Sequence, residues 1–335
     1  MRGLLRGIAW SKIGRGTLFI LAFVLIVEVS LRVIFGFGSP VLIQLDKSEN
    51  EGGYGYIPAP NQDVRRFFAH IKINRFSMRS DDISPSKTDD HIRVYFIGDS
   101  VTYGVYVDQS RIFTTLVSRD LAGLAGHPVD ILNASAGGWA PGNEVGFLKK
   151  NGTFDADLVL FVLNTGDLNQ PFADFQPHPG FTANAPWTAI GEAWTRLLWI
   201  ATDSGSTAMQ RTGMMEQTAA VLATLGQGRA YAISHNARFG IVYIPTRWKL
   251  DGADFQLGEA MLLDWAKQNG VPLIDLSQSF EGHSLDELYL KEGDARVHLS
   301  AAGHRIVAAR LLDALPAILH SSAPAPEVNP SARSR

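Results

Sequence analysis

A serine and a histidine far apart in the chain have the clearest potential for chemistry. Ser100 follows the apolar run 92–97 and a Gly-Asp pair, a pattern that predicts a buried strand ending in a tight turn. A serine hydroxyl becomes an effective nucleophile only when a base removes its proton. His298 lies just before a helix predicted to begin near Ser300. We therefore predict that the fold brings His298 to Ser100 as its general base.

A carboxylate is expected to orient this histidine. Asp294 precedes His298 by four positions, and a carboxylate on Nδ1 would hold the tautomer whose Nε2 accepts the serine proton. Asp286 and Glu292 are the alternatives. A Gly-Asp-Ser turn alone is a weak signal, because Asp commonly caps a helix in such turns. The three residue types together predict a Ser-His-Asp triad that forms an acyl-serine intermediate.

Three blocks of the sequence resemble those of the SGNH hydrolases, a family also called GDSL-like. They are 98–104 (GDSVTYG), 133–138 (NASAGG) and 294–298 (DARVH), in the family's order. The segment 73–80 (INRFSMRS) is similar to the Asn-x-x-Gly-x-Arg segment of membrane-anchored bacterial members. The resemblance covers roughly residues 60–315. It implies a flavodoxin-like three-layer α/β/α sandwich with a parallel sheet, and a serine hydrolase without a cofactor.

The same resemblance implies an oxyanion hole made by the N–H groups of Ser100 and Gly138 and by an asparagine of a third block. That block reads Gly-x-Asn-Asp in the family, whereas this chain has Asn-Thr-Gly-Asp over 164–167, with glycine at the donor position. The side chain of Asn164 or Asn169, or the N–H of the intervening glycine, could supply the third donor. Spacing alone does not decide among them. The acid block also departs, with three residues between its Asp and His where the family usually has two.

The N-terminal region predicts a membrane anchor. Residues 17–38 form an almost unbroken apolar run, long enough to cross about 30 Å of hydrocarbon. Four basic residues lie within 1–16, and such residues stay on the cytoplasmic side, so the rest of the chain is expected to be periplasmic or extracellular. A cleaved signal peptide is the alternative, although no Ala-x-Ala site follows the run.

Two charged residues interrupt the apolar run. Glu28 and Arg32 are four positions apart and therefore share one face of a helix, where they can neutralise each other. One interpretation is an ion pair near the outer membrane interface. The other is a docking contact with a second membrane protein.

The rest of the sequence alternates predicted strands and helices. Strands are predicted at 92–97, 129–132, 158–163, 239–244 and 272–276, and helices at 112–124, 212–237, 255–268 and from about 300. This order favours a parallel sheet covered by helices on both faces, with sites at the carboxyl ends of the strands.

Four further segments complete the predicted organisation. Residues 39–62 are interpreted as a surface linker, 63–320 as the catalytic domain and 321–335 as a disordered tail. Within the domain, 171–206 is too long for an ordinary connection and is predicted to be an insertion. Its six Phe and Trp residues are expected to form a small core of their own, with sugar stacking or membrane contact as the alternatives.

Composition limits the classes of function. The net charge of −3 over 335 residues gives no support for nucleic-acid binding, and the absence of cysteine excludes thiol catalysis and Cys-ligated metals. No histidine spacing indicates a catalytic metal, so none is expected.

Two hypotheses follow. The first is a serine esterase or O-acyltransferase that acts on acyl groups, O-acetyl above all, of a cell-envelope glycan or exopolysaccharide. A transferase would need a multispanning membrane acyltransferase or a polysaccharide export partner to supply acyl groups. The second is a non-catalytic glycan-binding or scaffolding subunit, which the missing asparagine favours.

Overall fold

The computed structural model describes residues 2–46, 53–176, 178, 180–202, 214–250, 256–291 and 297–320. In these residues the strands are β1 (Val41–Leu45), β2 (Tyr56–Pro58), β3 (Gln62–Arg66), β4 (Ala69–Ile73), β5 (Ile92–Gly98), β6 (Val129–Ser135), β7 (Leu158–Asn164), β8 (Phe181–Thr182), β9 (Arg238–Ile244) and β10 (Leu273–Asp275). The α-helices are α1 (Arg2–Ser30), α2 (Ser100–Tyr103), α3 (Phe113–Ala125), α4 (Pro141–Asn151), α5 (Ala189–Thr202), α6 (Met214–Ser234), α7 (Arg247–Leu250), α8 (Gln256–Gln268), α9 (Leu285–Leu288) and α10 (Ala301–His320).

Five parallel strands form the central sheet in the order β10-β9-β7-β5-β6. Counted along the chain from β5, this is the flavodoxin-like order 2-1-3-4-5. The five predicted strands are therefore confirmed, with ends that differ by at most three residues. The side chains of β5 and β7 are mostly apolar and do not alternate with polar ones, because both faces of the sheet are covered.

Two apolar cores lie on the two faces of this sheet. One contains buried residues of α4, α6 and α8, and the other contains buried residues of α3 and α10. The predicted three-layer α/β/α sandwich is thus confirmed. Helix α4 was not predicted from the sequence. Its first residue, Pro141, suits the first turn of a helix because it has no N–H to leave unpaired.

The segment 39–62 is not a surface linker, and this prediction is wrong. It contains β1, which pairs antiparallel with β2 and parallel with the distant β8, and residues of the segment contribute to the cores. Its buried apolar side chains are Val41, Ile43, Tyr54, Tyr56 and Ile57. The folded body therefore begins before residue 63.

The aromatic residues of 171–206 do not share one small core. Phe175 packs on Tyr56 of β2, and Phe181 packs on Tyr103 of α2, with ring centroids 5.1 and 5.5 Å apart. Trp187 and Trp194, in contrast, are 98% and 62% exposed. The predicted separate core is thus replaced by contacts with the main body and by an exposed face.

The N-terminal helix is one continuous apolar element. Residues Gly14–Phe35, including a π-helical turn at Leu31–Phe35, are long and apolar enough to cross a membrane, and none of the most apolar stretch is buried inside the protein. Length and composition alone fit an anchor or a signal sequence. The predicted tail, 321–335, lies outside the described residues.

Candidate active site

Ser100 lies at the carboxyl end of β5, at the first residue of the short helix α2. The side chain of Asp99 caps this helix by accepting a hydrogen bond from the N–H of Val101 at 2.8 Å. Gly98 is required before the turn, because a Cβ there would lie 2.2 Å from Thr102 Oγ1. The turn thus places the Ser100 side chain at the edge of the sheet where sites of this fold form.

His298 meets Ser100 as predicted. Its Nε2 lies 2.9 Å from Ser100 Oγ, and with Nε2 unprotonated the serine O–H donates to it. The loop that carries His298 is fixed at its backbone: its C=O accepts from the N–H of Leu290 at 3.0 Å, and the N–H of Ser300 donates to Leu288 O at 2.8 Å. The two residues, 198 positions apart in the chain, therefore have the geometry that a nucleophilic serine and its base require.

Of the three predicted orienters of His298, only Asp286 lies among the described residues. Asp294, the predicted orienter, and its reserve Glu292 lie outside the described residues. The other reserve, Asp286, forms an ion pair with Arg247 at 2.7 Å and is 66% exposed. Asp286 is therefore engaged away from the histidine, and Asp294 stays a prediction.

The two predicted backbone donors, Ser100 and Gly138, follow neighbouring strands of the central sheet. Gly138 follows β6, whose Ser135 pairs with Gly98 of β5, so the loops carrying Gly138 and Ser100 leave the same edge of the sheet. Gly138 has φ +80°, which glycine adopts without steric cost. The hydroxyl of Tyr56 donates to the C=O of Gly137 at 3.0 Å and thereby holds the peptide that carries the Gly138 N–H.

Asn164 has both of its side-chain polar atoms engaged. Its Nδ2 donates to Asp99 Oδ2 at 2.8 Å, and its Oδ1 accepts from the Gly166 N–H at 2.6 Å. The side-chain nitrogen of Asn169 is buried and has no hydrogen-bond acceptor among the described residues. In this conformation Asn164 positions Asp99, beside the nucleophile, and its role as third oxyanion donor stays a prediction.

Three buried carboxyl groups, those of Asp99, Glu144 and Asp167, lie near one another at the candidate site. The sequence predicted a catalytic role for none of them. Burial raises the pKa of Asp99 to about 6. Burial, together with the negative charges of Asp167 and Asp99, raises the pKa of Glu144 well above its usual range. Burial and the charge of Asp99 likewise raise the pKa of Asp167 well above its usual range. Both carboxyl oxygens of Glu144 lack a hydrogen-bond partner among the described residues. Burial therefore favours the neutral, protonated form of Glu144.

The segment that resembles Asn-x-x-Gly-x-Arg supports the nucleophile helix. Asn74 Oδ1 accepts from two backbone N–H groups of its own turn, and Ser77, at the glycine position, has φ +65°. The buried guanidinium of Arg79 donates to the C=O groups of Tyr103 at 2.6 Å and Val107 at 2.6 Å. Arg79 therefore fixes the loop that follows the helix of the nucleophile.

His304 is a packing residue, as its place early in the last helix indicates. It is fully buried, stacks on Phe113 and accepts from the Phe113 N–H through Nδ1 at 3.2 Å. Burial lowers its pKa to about 3, so its ring is neutral. His304 is therefore not a competing base, and the assignment of His298 as the base stays a prediction.

Comparison with known proteins agrees with this geometry. The model of the GDSL-like lipase/acylhydrolase family matches residues 96–306, which include both Ser100 and His298. The chain belongs to this family. It is therefore a serine hydrolase of the GDSL-like type, with a central parallel sheet and flanking helices. No curated protein matches the chain in sequence.

Solved structures of GDSL-like proteins are similar to the chain at low identity. A lipolytic GDSL-family protein from Veillonella parvula is 14% identical, with 68% of this chain and 98% of that chain covered and a TM-score of 0.42. A lipase/acylhydrolase from Enterococcus faecalis is 12% identical, with 68% of this chain and 96% of that chain covered and a TM-score of 0.43. A catalytic mutant of an acetylxylan esterase from Geobacillus stearothermophilus is 14% identical, with 69% of this chain and 95% of that chain covered and a TM-score of 0.43. Family membership rests on the sequence match, and none of these proteins indicates the substrate of this one.

Proposed function

We propose that this protein is a membrane-anchored serine esterase or O-acyltransferase acting on acyl esters, O-acetyl above all, of a cell-envelope glycan or exopolysaccharide. The contact of 2.9 Å between His298 Nε2 and Ser100 Oγ carries the catalytic part of the proposal. A non-catalytic scaffold has no need for a serine hydroxyl held against an imidazole at a sheet edge. The contact therefore favours an enzyme over the scaffolding alternative.

The reaction proceeds through an acyl enzyme. His298 Nε2 takes the proton of Ser100 while Oγ attacks the ester carbonyl, and the N–H groups of Ser100 and Gly138 receive the developing oxyanion. His298 then gives the proton to the departing glycan hydroxyl, which leaves acyl-Ser100. Water or a second sugar hydroxyl loses its proton to His298 and attacks this ester, which regenerates the serine. The first acceptor gives hydrolysis, and the second gives transfer.

The location and partners are part of the proposal. The span within Gly14–Phe35, preceded by basic residues at 1–16, supports an anchor with the catalytic domain in the periplasm or outside the cell. A tethered domain there meets envelope glycans, whose hydroxyl groups carry ester-linked acyl groups. Transfer would require a multispanning membrane protein, or the export machinery of the polysaccharide, to deliver the acyl donor.

Fluorophosphonate labelling of the full chain in detergent tests the nucleophile, with acetate release from 4-nitrophenyl acetate followed in parallel. The full chain is needed because Glu28 and Gly38 contact α5. We expect Ser100→Ala to abolish labelling and Ser100→Ala and His298→Ala each to lower turnover by more than about 10³-fold. The matched control is Ser234→Ala, which removes an exposed hydroxyl at the end of α6 and should retain full activity.

Adding acetylated glycan or free acceptor sugar distinguishes hydrolysis from transfer, because only transfer moves the acetyl group onto the acceptor. A well-folded wild-type protein that neither labels nor releases acetate would overturn the catalytic proposal and favour the scaffold.

A further inference from the structure

Helix α5 presents an uncharged apolar face away from the protein. Trp194, Leu197 and Leu198 follow a spacing of three and four residues and are 62%, 60% and 48% exposed. The two charged residues of α5 face inward: Glu192 is buried against Arg66, and Arg196 donates to the hydroxyl of Tyr106 at 2.9 Å. A solvent-facing helix normally shows the opposite distribution, with its charges outward.

The start of α5 is attached to the end of the apolar N-terminal helix. The Glu28 carboxylate accepts hydrogen bonds from the N–H groups of Ala189 at 2.8 Å and Ile190 at 3.0 Å, and thus caps the first turn of α5 from another helix. Arg32 pairs with Glu28 at 2.7 Å and reaches the C=O of Trp187 at 3.4 Å. The Glu28–Arg32 pair is therefore engaged within the chain. Its position places α5 at the level where the apolar span ends.

Two more aromatic side chains are exposed at this level. Trp187, just before α5, is 98% exposed, and Phe68, at the tip of the β3–β4 hairpin, is 81% exposed. The Phe68 ring lies 6.1 Å from that of Phe35, the last residue of the span. Both residues of the hairpin turn, Phe67 and Phe68, have positive φ values of 48° and 66°, where glycine or asparagine is usual. The hairpin thus displays a bulky apolar ring at a site where polar residues are normal.

We propose that these residues, Phe68, Trp187, Trp194, Leu197 and Leu198, form a lipid-contact surface that lies in the outer interface of the membrane. The inference rests on the proposed anchor and adds a second, in-plane contact to it. Lipid is the occupant that the position favours, because a helix capped by the end of a membrane span necessarily borders the same bilayer. Tryptophan and phenylalanine suit this depth, and an uncharged face avoids the cost of burying a charge.

The surface would also fix the orientation of the active site. Arg196 of α5 contacts Tyr106, and Phe181, which precedes α5, packs on Tyr103 at the end of the nucleophile helix. The helix that begins at Ser100 and the loop after it are therefore in contact with α5, which carries part of the lipid-contact surface, and with the strand that precedes α5. The active site is thereby held at a set distance from the bilayer.

Site-directed spin labelling tests this surface in the full chain, which has no cysteine and so accepts one label at a time. Leu198→Cys reports on the proposed surface and Val24→Cys on the span. The matched control is Leu124→Cys, at another exposed leucine (61%), which lies at the end of α3 on the amino edge of the sheet. Each labelled protein is reconstituted into vesicles of phosphatidylethanolamine and phosphatidylglycerol. Collision with oxygen, which enters lipid, is compared with collision with a water-soluble nickel chelate.

We expect the Leu198 label to favour oxygen over nickel and to lie about 5–10 Å below the headgroup boundary, the depth of an interfacial helix. The Leu124 label should favour nickel. If the Leu198 label is as accessible to nickel as the Leu124 label, while the Val24 label favours oxygen, the lipid contact is overturned but the anchor is retained. The apolar face of α5 would then be assigned to a protein partner. A nickel-accessible Val24 label would overturn the anchor and the lipid contact together, without affecting the catalytic proposal.

Discussion

At the scale of single residues, a hydrogen bond from the hydroxyl of Tyr56 in β2 connects the N-terminal part of the chain to the candidate oxyanion hole. Because the peptide between Gly137 and Gly138 is planar, the hydrogen bond from Tyr56 to its C=O also fixes the direction of its N–H. Burial raises the pKa of Tyr56 above its usual value, so the hydroxyl remains a donor at alkaline pH. We expect Tyr56→Phe to lower kcat about 10-fold with little change in KM, because oxyanion donors act on the transition state.

Steady-state kinetics on 4-nitrophenyl acetate at several pH values measures this effect. Tyr54→Phe is the matched control, since the ring of Tyr54 packs on Trp139 and Phe147 in the same aromatic cluster. The Gly138 assignment would lose support if Tyr56→Phe changed kcat less than its control.

The sequence predicted that Ser100 and His298 would meet, but not which groups would surround them. Ser100 and His298 could be recognised because each lies in a motif with a defined place in the fold. Asn164 was named as a donor, yet its side chain bonds to Asp99 in the structure, and spacing cannot reveal which way a side chain turns at a strand end. Tyr56 and Glu144 gave no signal, because they lie outside the motifs and reach the site only through tertiary packing.

At the scale of elements, a buried ion pair joins the segment that follows the apolar N-terminal helix to α5 and the β3–β4 hairpin. Glu192 pairs with Arg66 and accepts from the N–H of Gly38 at 2.5 Å, while Arg66 donates to the C=O of Gly36 at 3.0 Å. Removing one partner leaves the other as a buried, uncompensated charge. We expect Glu192→Ala to destabilise the protein by about 3–5 kcal/mol, a large fall in Tm.

Thermal unfolding of the full chain in detergent measures this fall. Glu216→Ala, which removes an exposed glutamate of α6, is the control. The double variant Arg66→Met with Glu192→Leu should recover part of the loss, because an apolar pair leaves no unpaired charge. Equal Tm values for Glu192→Ala and its control would show that the junction contributes little to stability.

Sequence periodicity identified the elements of the central sheet but not those of the N-terminal region. The five parallel strands are buried on both faces and read as continuous apolar runs, which are easily recognised. β1 and β2 are short, and β1 pairs in parallel with β8, about 140 residues away, so no local pattern indicates the pairing. Helix α5 was predicted only as part of an insertion. Its position beside α1 depends on the hydrogen bonds that its first N–H groups donate to Glu28, and no local pattern indicates such a distant contact.

At the scale of the whole molecule, the buried carboxyl groups make stability depend on pH. In the unfolded chain Glu144 loses its proton near its ordinary pKa, whereas in the folded protein burial holds that pKa much higher. Between these two values the folded state binds more protons, so stability falls as pH rises. Each pH unit in this window costs up to about 1.4 kcal/mol. His304 acts in the opposite direction: with its folded pKa lowered to about 3, its contribution is lost as pH falls below the ordinary histidine value.

Glu144→Gln isolates the effect of one acid on the whole fold. Glutamine matches the shape of the neutral acid but cannot ionise, so the variant lacks the loss of stability that wild type suffers as pH rises. We expect the difference in Tm, variant minus wild type, to increase as pH rises above the ordinary pKa of glutamate, while the contribution of His304 cancels because both proteins share it. Glu281→Gln, at an exposed glutamate, is the matched control. A difference for Glu144→Gln that changes with pH no more than that of its control would mean that Glu144 ionises freely in the folded protein, and the acid cluster would then be solvated rather than neutral.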